Sequence, residues 1–458
     1  MDARVVAPRA ATCAALMLAI AGTAVAALPA GPPGRLVQAR GKAGCLQYAG
    51  SQQCARPRSL RQPEPAAVSR DGRFVYIPGT RDSAIAIFAR NRATGGLRQL
   101  RGRRGCISNF GVGGCARARS FVWPLGIALS PDGRNAYVVG AAQDALVVLA
   151  RNPRTGGLRQ LPGARGCLSR LARHGCARGR GLNDPIQVVV APDGRRVYTA
   201  TRRFPGTVGV FDRARDGSLR QPAGADACVA EGGAVGCTAG HGLGAPWALR
   251  VAPDSRHVYV AALQSDAVAV LARTASGLEQ PAGAAGCVAM TAANGCAVGR
   301  GLDAAAGVAV SRDGRSVYVG AANSNAVSVF ARDPATGELS QLPGPAGCVS
   351  TGGTEGCTAG RSVNTSHGIV VSPDGRNVYA ASELGDAISV FARSPLDGGL
   401  AQLPGRWGCL SVSGAGGCGL VRGLVTPIGL TASPDGRSIY ATSESAMYGG
   451  VAILRRLP

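Results

Sequence analysis

Residues 366–403 read SHGIVVSPDGRNVYAASELGDAISVFARSPLDGGLAQL, and this segment decides the fold. It contains four short apolar runs, GIVVS, NVYAAS, AISVFAR and GLAQL, with turn-forming residues between them. Such a pattern predicts a four-stranded antiparallel meander. The sequence SPDG at 372–375 favours a tight type I turn between the first two strands, because Pro suits its second position and Gly its last.

Six further segments follow the same plan. A unit of four short strands cannot bury both of its faces alone, and closed radial stacking of such units gives a β-propeller. Third strands such as AISVFAR are apolar on both faces, as a blade between two blades requires. We therefore predict an all-β fold, a seven-bladed β-propeller of four-stranded antiparallel blades over residues 27–458. The aspartates of the tight turns are Asp71, Asp132, Asp193, Asp254, Asp313, Asp374 and Asp435.

The two ends of the chain complement each other. The seventh unit stops at Pro458 after its third strand. Near the amino end, GRLVQ at 34–38 matches the fourth strand GLRQL at 157–161. We expect this N-terminal strand to complete the last blade, which would close the ring and remove an exposed sheet edge.

Fourteen of the fifteen cysteines form seven pairs with the same spacing. Metal-binding cysteines stand closer together and are accompanied by His, so we predict one local disulfide loop per blade, with no metal site and no cofactor. By loop-closure entropy, each bridge would contribute about 2 to 3 kcal/mol. The pairs are Cys45 and Cys54, Cys106 and Cys115, Cys167 and Cys176, Cys228 and Cys237, Cys287 and Cys296, Cys348 and Cys357, and Cys409 and Cys418.

Residues 1–26 have the features of a signal peptide. Arg4 and Arg9 precede an apolar stretch, and AVA at 24–26 supplies the small residues that signal peptidase requires. No segment approaches the length of a transmembrane span. Together with the paired cysteines, this predicts a secreted, extracytoplasmic, monomeric protein.

The chain is strongly basic. Its formal net charge is +24, and Lys42 is its one lysine, so nearly all of the cations are arginines. This charge makes an anionic polymer, nucleic acid or a membrane surface a candidate partner. Because no run of basic residues is longer than two, we favour charge dispersed over a solvated surface as the explanation of the composition.

The third strand of every unit ends in arginine. A residue repeated with the symmetry of the fold is most simply structural, so we expect these side chains to bridge backbone carbonyls or acids near the tight turns. They are Arg90, Arg151, Arg213, Arg273, Arg332, Arg393 and Arg456.

Other positions break the sevenfold pattern. At the entry to the innermost strand, four units have aliphatic residues, whereas the others have Glu64, Trp247 and His367. Blades six, seven and one are neighbours in a closed ring, so ionisable residues of these blades should converge at the channel mouth. The loops between second and third strands add Arg81, Arg202, Arg203, Glu383 and Glu444.

The unit SPDGRNVYAASELGDAISVFAR resembles the blades of YVTN-type propellers and of the lactonase-like seven-bladed family, which includes 6-phosphogluconolactonase and carboxymuconate cyclase enzymes. The resemblance covers nearly the whole chain after residue 26. It implies a seven-bladed fold and, from the cyclase relatives, chemistry performed by His, Glu and Arg side chains. His367, in SHGIVVSPDG, resembles the family's His-before-strand pattern. The regular cysteine loop departs from the cytoplasmic lactonases.

Two functional hypotheses follow. The first is a secreted recognition module that binds an anionic polymer, a surface glycan or a protein. The second is an enzyme that hydrolyses or forms lactones at the top of the central channel. We favour the first, because no complete catalytic motif is present. The acid–base candidates are His367, Glu64, Glu383 and Glu444. The ligand-contact candidates are Arg81, Arg202, Arg203 and Trp247.

Overall fold

Seven β-sheets make up the chain from Pro32 to Pro458 in the computed structural model. The structure describes Met1 and residues 31–49, 53–292, 295–364, 366–445 and 449–458. Apart from Met1, the predicted signal peptide lies outside the described residues. The first strands of the sheets contact each other in ring order, and the first strand of blade seven contacts that of blade one. The prediction of a seven-bladed β-propeller is confirmed.

Three antiparallel strands form the inner part of each blade. The first and innermost strands are Ala67–Val68, Pro124–Leu129, Pro185–Val190, Pro246–Val251, Ala305–Val310, Ser366–Val371 and Pro427–Ala432. The second strands are Phe74–Gly79, Asn135–Gly140, Arg196–Thr201, His257–Ala262, Ser316–Ala321, Asn377–Ser382 and Ser438–Ser443. The third strands are Ala84–Arg90, Ala145–Arg151, Thr207–Arg213, Ala267–Arg273, Ala326–Arg332, Ala387–Arg393 and Gly450–Arg456.

The fourth strand of each blade is divided into two pieces, both antiparallel to the third strand. The first pieces are Leu97–Gln99, Leu158–Gln160, Leu219–Arg220, Leu278–Glu279, Leu339–Gln341, Leu400–Gln402 and, for blade seven, Leu36–Gln38. The second pieces are Cys106–Asn109, Cys167–Ser169, Cys228–Glu231, Cys287–Ala289, Cys348–Thr351, Cys409–Ser411 and, for blade seven, Cys45–Gln47.

Short 3₁₀ turns connect these strands. Those between the two pieces of the fourth strand are Gly41–Gly44, Gly102–Gly105, Gly163–Gly166, Gly224–Ala227, Gly283–Gly286, Gly344–Gly347 and Gly405–Trp407. The others are Thr80–Asp82, Val112–Gly114, Ala141–Gln143, Arg173–Gly175, Ala234–Gly236, Thr354–Gly356 and Ala415–Gly417. Within the described residues, no helix has the length and apolar character that a membrane span requires.

Blades one to six also carry an addition that the sequence did not predict, a short fifth strand. It follows the disulfide loop and runs parallel to the second piece of the fourth strand. As the strand order of a meander implies, each disulfide loop lies beside the loop between the second and third strands of its blade; in blade two, Arg170 N donates to the carbonyl of Asp144 at 3.0 Å. Parallel pairing also holds the disulfide loop against the outer edge of the blade. In blades one to six the fifth strands are Ala116–Ala118, Ala177–Arg178, Thr238–Gly240, Ala297–Val298, Thr358–Gly360 and Gly419–Leu420.

All fourteen predicted half-cystines are paired as expected. Each bridge joins cysteines nine positions apart, with Cα atoms 4.8 or 4.9 Å from each other. These separations lie in the usual range for a disulfide. Seven local disulfides indicate an oxidising compartment.

The ring closes through the N-terminal strand. Leu36–Gln38 pairs antiparallel with Gly450–Arg456, with Leu36 opposite Arg456. The seven largest clusters of buried apolar side chains are each shared by two neighbouring blades, and one of them joins blade seven to blade one. The core therefore lies between the blades, which explains why both faces of the third strands are apolar.

The arginines that end the third strands connect neighbouring blades on the face of the tight turns, which we call the turn face. Arg332 donates to Tyr259 Oη of the preceding blade, to Asp254 Oδ2 at 2.8 Å and to the carbonyl of Gly314 at 2.8 Å. Five of the other six also donate through Nε to the tyrosine of the preceding blade. The structural role predicted for these arginines is confirmed.

Candidate functional site

The loop face, opposite the turn face, carries the entrances to the innermost strands. In blades two to seven the pairing register of the first and second strands shifts at this entrance. In blade four, Pro246 pairs with Ala262 and Ala248 with Ala261, so Trp247 has no partner of its own. A bulge of this kind redirects a side chain. The sequence position that carries Glu64, Trp247 and His367 therefore coincides, in blades two to seven, with a β-bulge at the mouth of the channel.

The central channel contains a cavity of about 580 Å³. Six of the eight predicted site residues line it: Glu64, Arg202, Trp247, His367, Glu383 and Glu444. The other two lie outside. Arg81 is exposed and reaches the site through Gln62, and Arg203 contacts Asp184 with 71% of its side chain exposed.

A histidine–carboxylate pair lies on the side of blade six. His367 Nδ1 is 3.1 Å from Glu383 Oε2, and 17% of the His367 side chain is exposed. Ionised Glu383 can only accept a hydrogen bond, so Nδ1 carries the hydrogen and Nε2 of a neutral ring keeps its lone pair. Burial lowers the pKa of His367, although the Glu444 carboxylate opposes this shift. The imidazole is therefore neutral at neutral pH and available as a base.

Glu64 is a buried carboxyl group of blade one, which flanks blade seven on the side away from blade six. It is 5% exposed, and burial, with the nearby Glu444 charge, raises its pKa to about 8. Thr80 Oγ1 lies 3.1 Å from Glu64 Oε1 and 3.2 Å from the carbonyl oxygen of Pro124. The Thr80 hydroxyl donates to Glu64 Oε1, and this bond opposes the rise in the pKa of Glu64 without cancelling it.

The carboxylate of Glu444, in blade seven, affects the pKa values of the groups on both sides. Its charge raises the pKa values of Glu64 and Glu383 and opposes the lowering of the pKa of His367. Gln62 Nε2 donates to Glu444 Oε1 at 2.7 Å, and Arg81 Nε donates to Gln62 Oε1 at 3.1 Å. Arg81 therefore helps to position Glu444 through Gln62 and does not line the cavity.

Arg202 and Trp247 form the other side of the mouth. The Arg202 guanidinium lies 5.9 Å from the Trp247 ring centre, within cation–π range, and Nε donates to Asp184 Oδ2 at 2.8 Å. The Trp247 and His367 rings are 6.0 Å apart and tilted by 50°. This aromatic contact links blade four to blade six across the channel.

The structure adds one residue that the sequence analysis missed, Arg250. It lines the same cavity, three positions after Trp247 on the innermost strand of blade four. Its Nη1 donates to the neighbouring carbonyl of Leu249 at 2.9 Å, and burial lowers its pKa. Among the described residues, no carboxylate forms an ion pair with it. The other units have Ala, Val or Thr at this position, which is the signal that could have identified Arg250.

The cavity thus combines a neutral base, a protonated acid and two guanidinium groups. These are the groups that general acid–base catalysis on an anionic substrate requires. A metal site is less well supported. His241, Cys287 and Cys296 place their ligand atoms within 4.8 Å of one another. Both cysteines are in a disulfide, so they offer no thiolate.

Comparison with known proteins points to the same group of propellers. Residues 238–351 match the model of the family described as Lactonase, 7-bladed beta-propeller. The chain resembles the seven-bladed lactonases. No curated protein matches the sequence. The lactonase match covers less than half of the chain, and it ends before His367, Glu383 and Glu444.

Solved structures show the same architecture. A protein from Bacteroides uniformis assigned as a 6-phosphogluconolactonase is 20% identical, with a TM-score of 0.50 over 78% of this chain and 84% of that chain. One from Bacteroides fragilis with the same assignment is 17% identical, with a TM-score of 0.51 over 84% and 86%. Hydrazine synthase from Kuenenia stuttgartiensis is 14% identical, with a TM-score of 0.52 over 89% and 99%. At these identities the likeness to lactonases is one of fold.

Proposed function

We propose that this protein is a lactonase-like hydrolase that opens small lactones in the central channel. The observation that carries the proposal is the pairing of His367 with Glu383 in a cavity that also holds the protonated carboxyl group of Glu64. The match to the lactonase family supports the same reaction class. We had favoured a recognition module, and both the comparisons and the acid–base groups support the enzyme better.

The proposed reaction divides the proton transfers between the two sides of the channel. His367 Nε2 takes a proton from water while Glu383 holds the ring, and the hydroxide attacks the lactone carbonyl. The ring C–O bond of the tetrahedral intermediate breaks, and Glu64 donates its proton to the departing oxygen. The product is the open hydroxy acid, and return of a proton from the imidazolium to Glu64 through water restores the site.

The substrate in this proposal carries an anionic group. A half-buried guanidinium without an acidic partner is stabilised by a ligand that neutralises it. Arg250 is in this situation, and it lies deeper along the strand than the bulge at Trp247. Arg250 would therefore hold a carboxylate or phosphate, and Arg202 would stabilise the oxyanion at the mouth.

The proposal places this reaction outside the cytoplasm. The seven disulfides are formed in oxidising compartments, and a signal peptide at residues 1–26 would direct the chain there. A propeller held by one bridge per blade would tolerate such surroundings. This distinguishes the protein from lactonases that act on intracellular metabolites.

The test is hydrolysis of glucono-1,5-lactone and of its 6-phosphate, followed by proton release at constant pH. The phosphorylated lactone should be turned over with a higher kcat/KM. The rate should fall at low pH as His367 is protonated and again as the pH passes about 8, where Glu64 ionises. His367→Ala should lower kcat by about 10²- to 10⁴-fold, the range for loss of a general base.

Matched variants separate chemistry from folding. Glu383→Gln should lower kcat less than His367→Ala and leave KM unchanged, because Glu383 only positions the imidazole. Glu338→Gln, an exposed carboxyl on the turn face, should retain full activity. If His367→Ala melts like the parent protein and keeps its activity, the proposed mechanism is wrong. If neither lactone is hydrolysed faster than in buffer, the reaction class is not supported.

A further inference from the structure

Three cavities adjoin one another where the loop face meets the outer edge of blades one to three. Their volumes are about 470, 310 and 730 Å³. Gln143 and His174 line both the first and the second, and Arg170 lines both the second and the third. The three therefore form one continuous depression. We call it the basic groove, and it runs from Phe110 to Phe204.

The basic groove is strongly positive. Seven arginines line it, and among its described lining residues Asp144 is the one acid. Asp144 is already paired with Arg170, whose Nε lies 2.8 Å from Oδ2. The groove therefore keeps an excess of positive charge along its whole length.

Three of the seven arginines are free to bind a ligand. Arg119 and Arg180 donate to backbone carbonyls of neighbouring disulfide loops, so they serve the fold. In contrast, Arg117, Arg173 and Arg178 are exposed and form no ion pair with a described residue. These three guanidinium groups are therefore the ones available to bind an anionic ligand.

Comparison of equivalent positions in the seven units shows that this charge is not a repeated feature of the blades. Only the disulfide loop of blade two, CLSRLARHGC, contains arginine. The second position after the second cysteine is arginine in three consecutive units and apolar in the other four. These residues are Arg56, Arg117 and Arg178, followed by Ala239, Val298, Ala359 and Leu420. The charge is therefore concentrated on one arc of the ring.

We propose that the basic groove binds a linear acidic polysaccharide. Arginine forks suit the carboxylate or sulfate groups of such a chain. Phe110 and Phe204, 62% and 86% exposed, offer flat apolar surfaces for sugar rings at the two ends. The middle of the groove has no Phe, Tyr or Trp among its described residues and only His174 as a ring, whereas proteins that bind single-stranded nucleic acid stack successive bases on a series of aromatic side chains. The oxidising compartment indicated by the disulfides suits an extracellular glycan.

This binding site is separate from the proposed catalysis. The groove and the channel share no lining residue, and the neighbours Arg202 and Arg203 divide between them. The polysaccharide would hold the protein on a surface while the channel acts on a small molecule. Failure of either proposal therefore leaves the other standing.

The test is calorimetric titration of the full protein with oligogalacturonate of about ten sugars. The triple variant Arg117→Gln, Arg173→Gln and Arg178→Gln should bind at least about tenfold more weakly. Because three ionic contacts are lost, the slope of log affinity against log salt should fall by about two. Phe204→Ala should weaken binding of the oligosaccharide without changing that slope.

The matched control removes the same charge elsewhere. Arg134, Arg195 and Arg256 are exposed on the turn face, and their triple change to Gln should alter the affinity by less than about twofold. Equal weakening in both triple variants would show non-specific attraction and overturn the site, as would absence of binding by the parent protein. Tighter binding of a ten-nucleotide single-stranded DNA through the same arginines would replace the glycan with nucleic acid.

Discussion

Buried ionisable groups give this protein its chemical character at the scale of single residues. Glu64 differs from its counterparts Leu125 and Ile428 by a carboxyl group that has almost no access to solvent. Such a group stays neutral unless a cation compensates it. Thr80 donates a hydrogen bond to Glu64, but this bond does not cancel the larger effect of burial. The fold therefore stores a proton in the channel at neutral pH.

This stored proton predicts a pH dependence of stability. The folded pKa of about 8 lies above the ordinary value of 4.5, so between these pH values the folded state holds a proton that the unfolded chain has released. Stability from Glu64 is thus fully present below pH 4.5 and is lost as pH rises to about 8. Over this range the parent protein should lose on the order of 4 kcal/mol more than Glu64→Gln.

Urea unfolding at pH 5 and pH 8.5 measures this difference. Glu338→Gln serves as the control, because this exposed acid should leave the parent's pH dependence unchanged. Parallel pH profiles for Glu64→Gln and the parent would show that Glu64 is ionised in the folded protein.

At the scale of elements, the arginine that ends each third strand connects its blade to the preceding one. Arg332 reaches a tyrosine and an aspartate of the preceding blade and a carbonyl of its own turn. Arg273 of blade four donates to Asp193 of blade three, whereas Tyr198 Oη of blade three has no hydrogen-bond partner among the described residues. Arg332 and Arg273 are thus equivalent residues of neighbouring blades, and only Arg332 contacts both the tyrosine and the aspartate of the preceding blade.

This contrast predicts unequal costs for the same substitution. Arg332→Gln should lower the free energy of unfolding by about 2 to 4 kcal/mol, because it removes a buried charge-assisted hydrogen bond to Tyr259 and the ion-pair partner of Asp254. Arg273→Gln should cost less than about 1 kcal/mol, since it removes a single, more exposed contact. Chemical denaturation of both variants checks the difference. Equal costs would show that the contacts between blades do not determine the role of these arginines.

Ring closure determines stability at the scale of the whole molecule. Seven clusters of apolar side chains occupy the seven interfaces, and the interface between blades six and seven includes Leu36 of the N-terminal strand. Loss of this strand exposes the edge of the third strand of blade seven and removes a part of the core. No other blade relies on a segment so distant in sequence.

Deletion of the chain through Gln38 should therefore lower the melting temperature and promote association through the open edge. Leu36→Ala alone should cost about 2 to 4 kcal/mol, in the range for a buried leucine. Arg40→Ala, at an exposed position beside the same strand, is the control. Thermal melting with sedimentation checks both effects, and a deletion variant that melts like the parent as a monomer would contradict closure by this strand.

The sequence by itself determined the blades, their number, the disulfide pairs and the closure of the ring. Each of these depends on local patterns: alternation of apolar runs and turns, a fixed spacing of cysteines, and an unpaired strand at each end. Subtraction of the sevenfold background also identified Glu64, His367 and Trp247, because a residue that departs from six equivalents is visible without coordinates.

Only the tertiary structure decided which of these residues meet. Arg81 and Arg203 stand in the same type of loop as Glu444, yet they lie outside the channel, because loop conformation and local acids direct their side chains. Arg250 was missed because its position inside a strand looks like packing until the innermost strands are arranged around a common axis. The fifth strands and the bulges escaped prediction for a related reason, since they depend on pairing between segments and not on the residues of either segment alone.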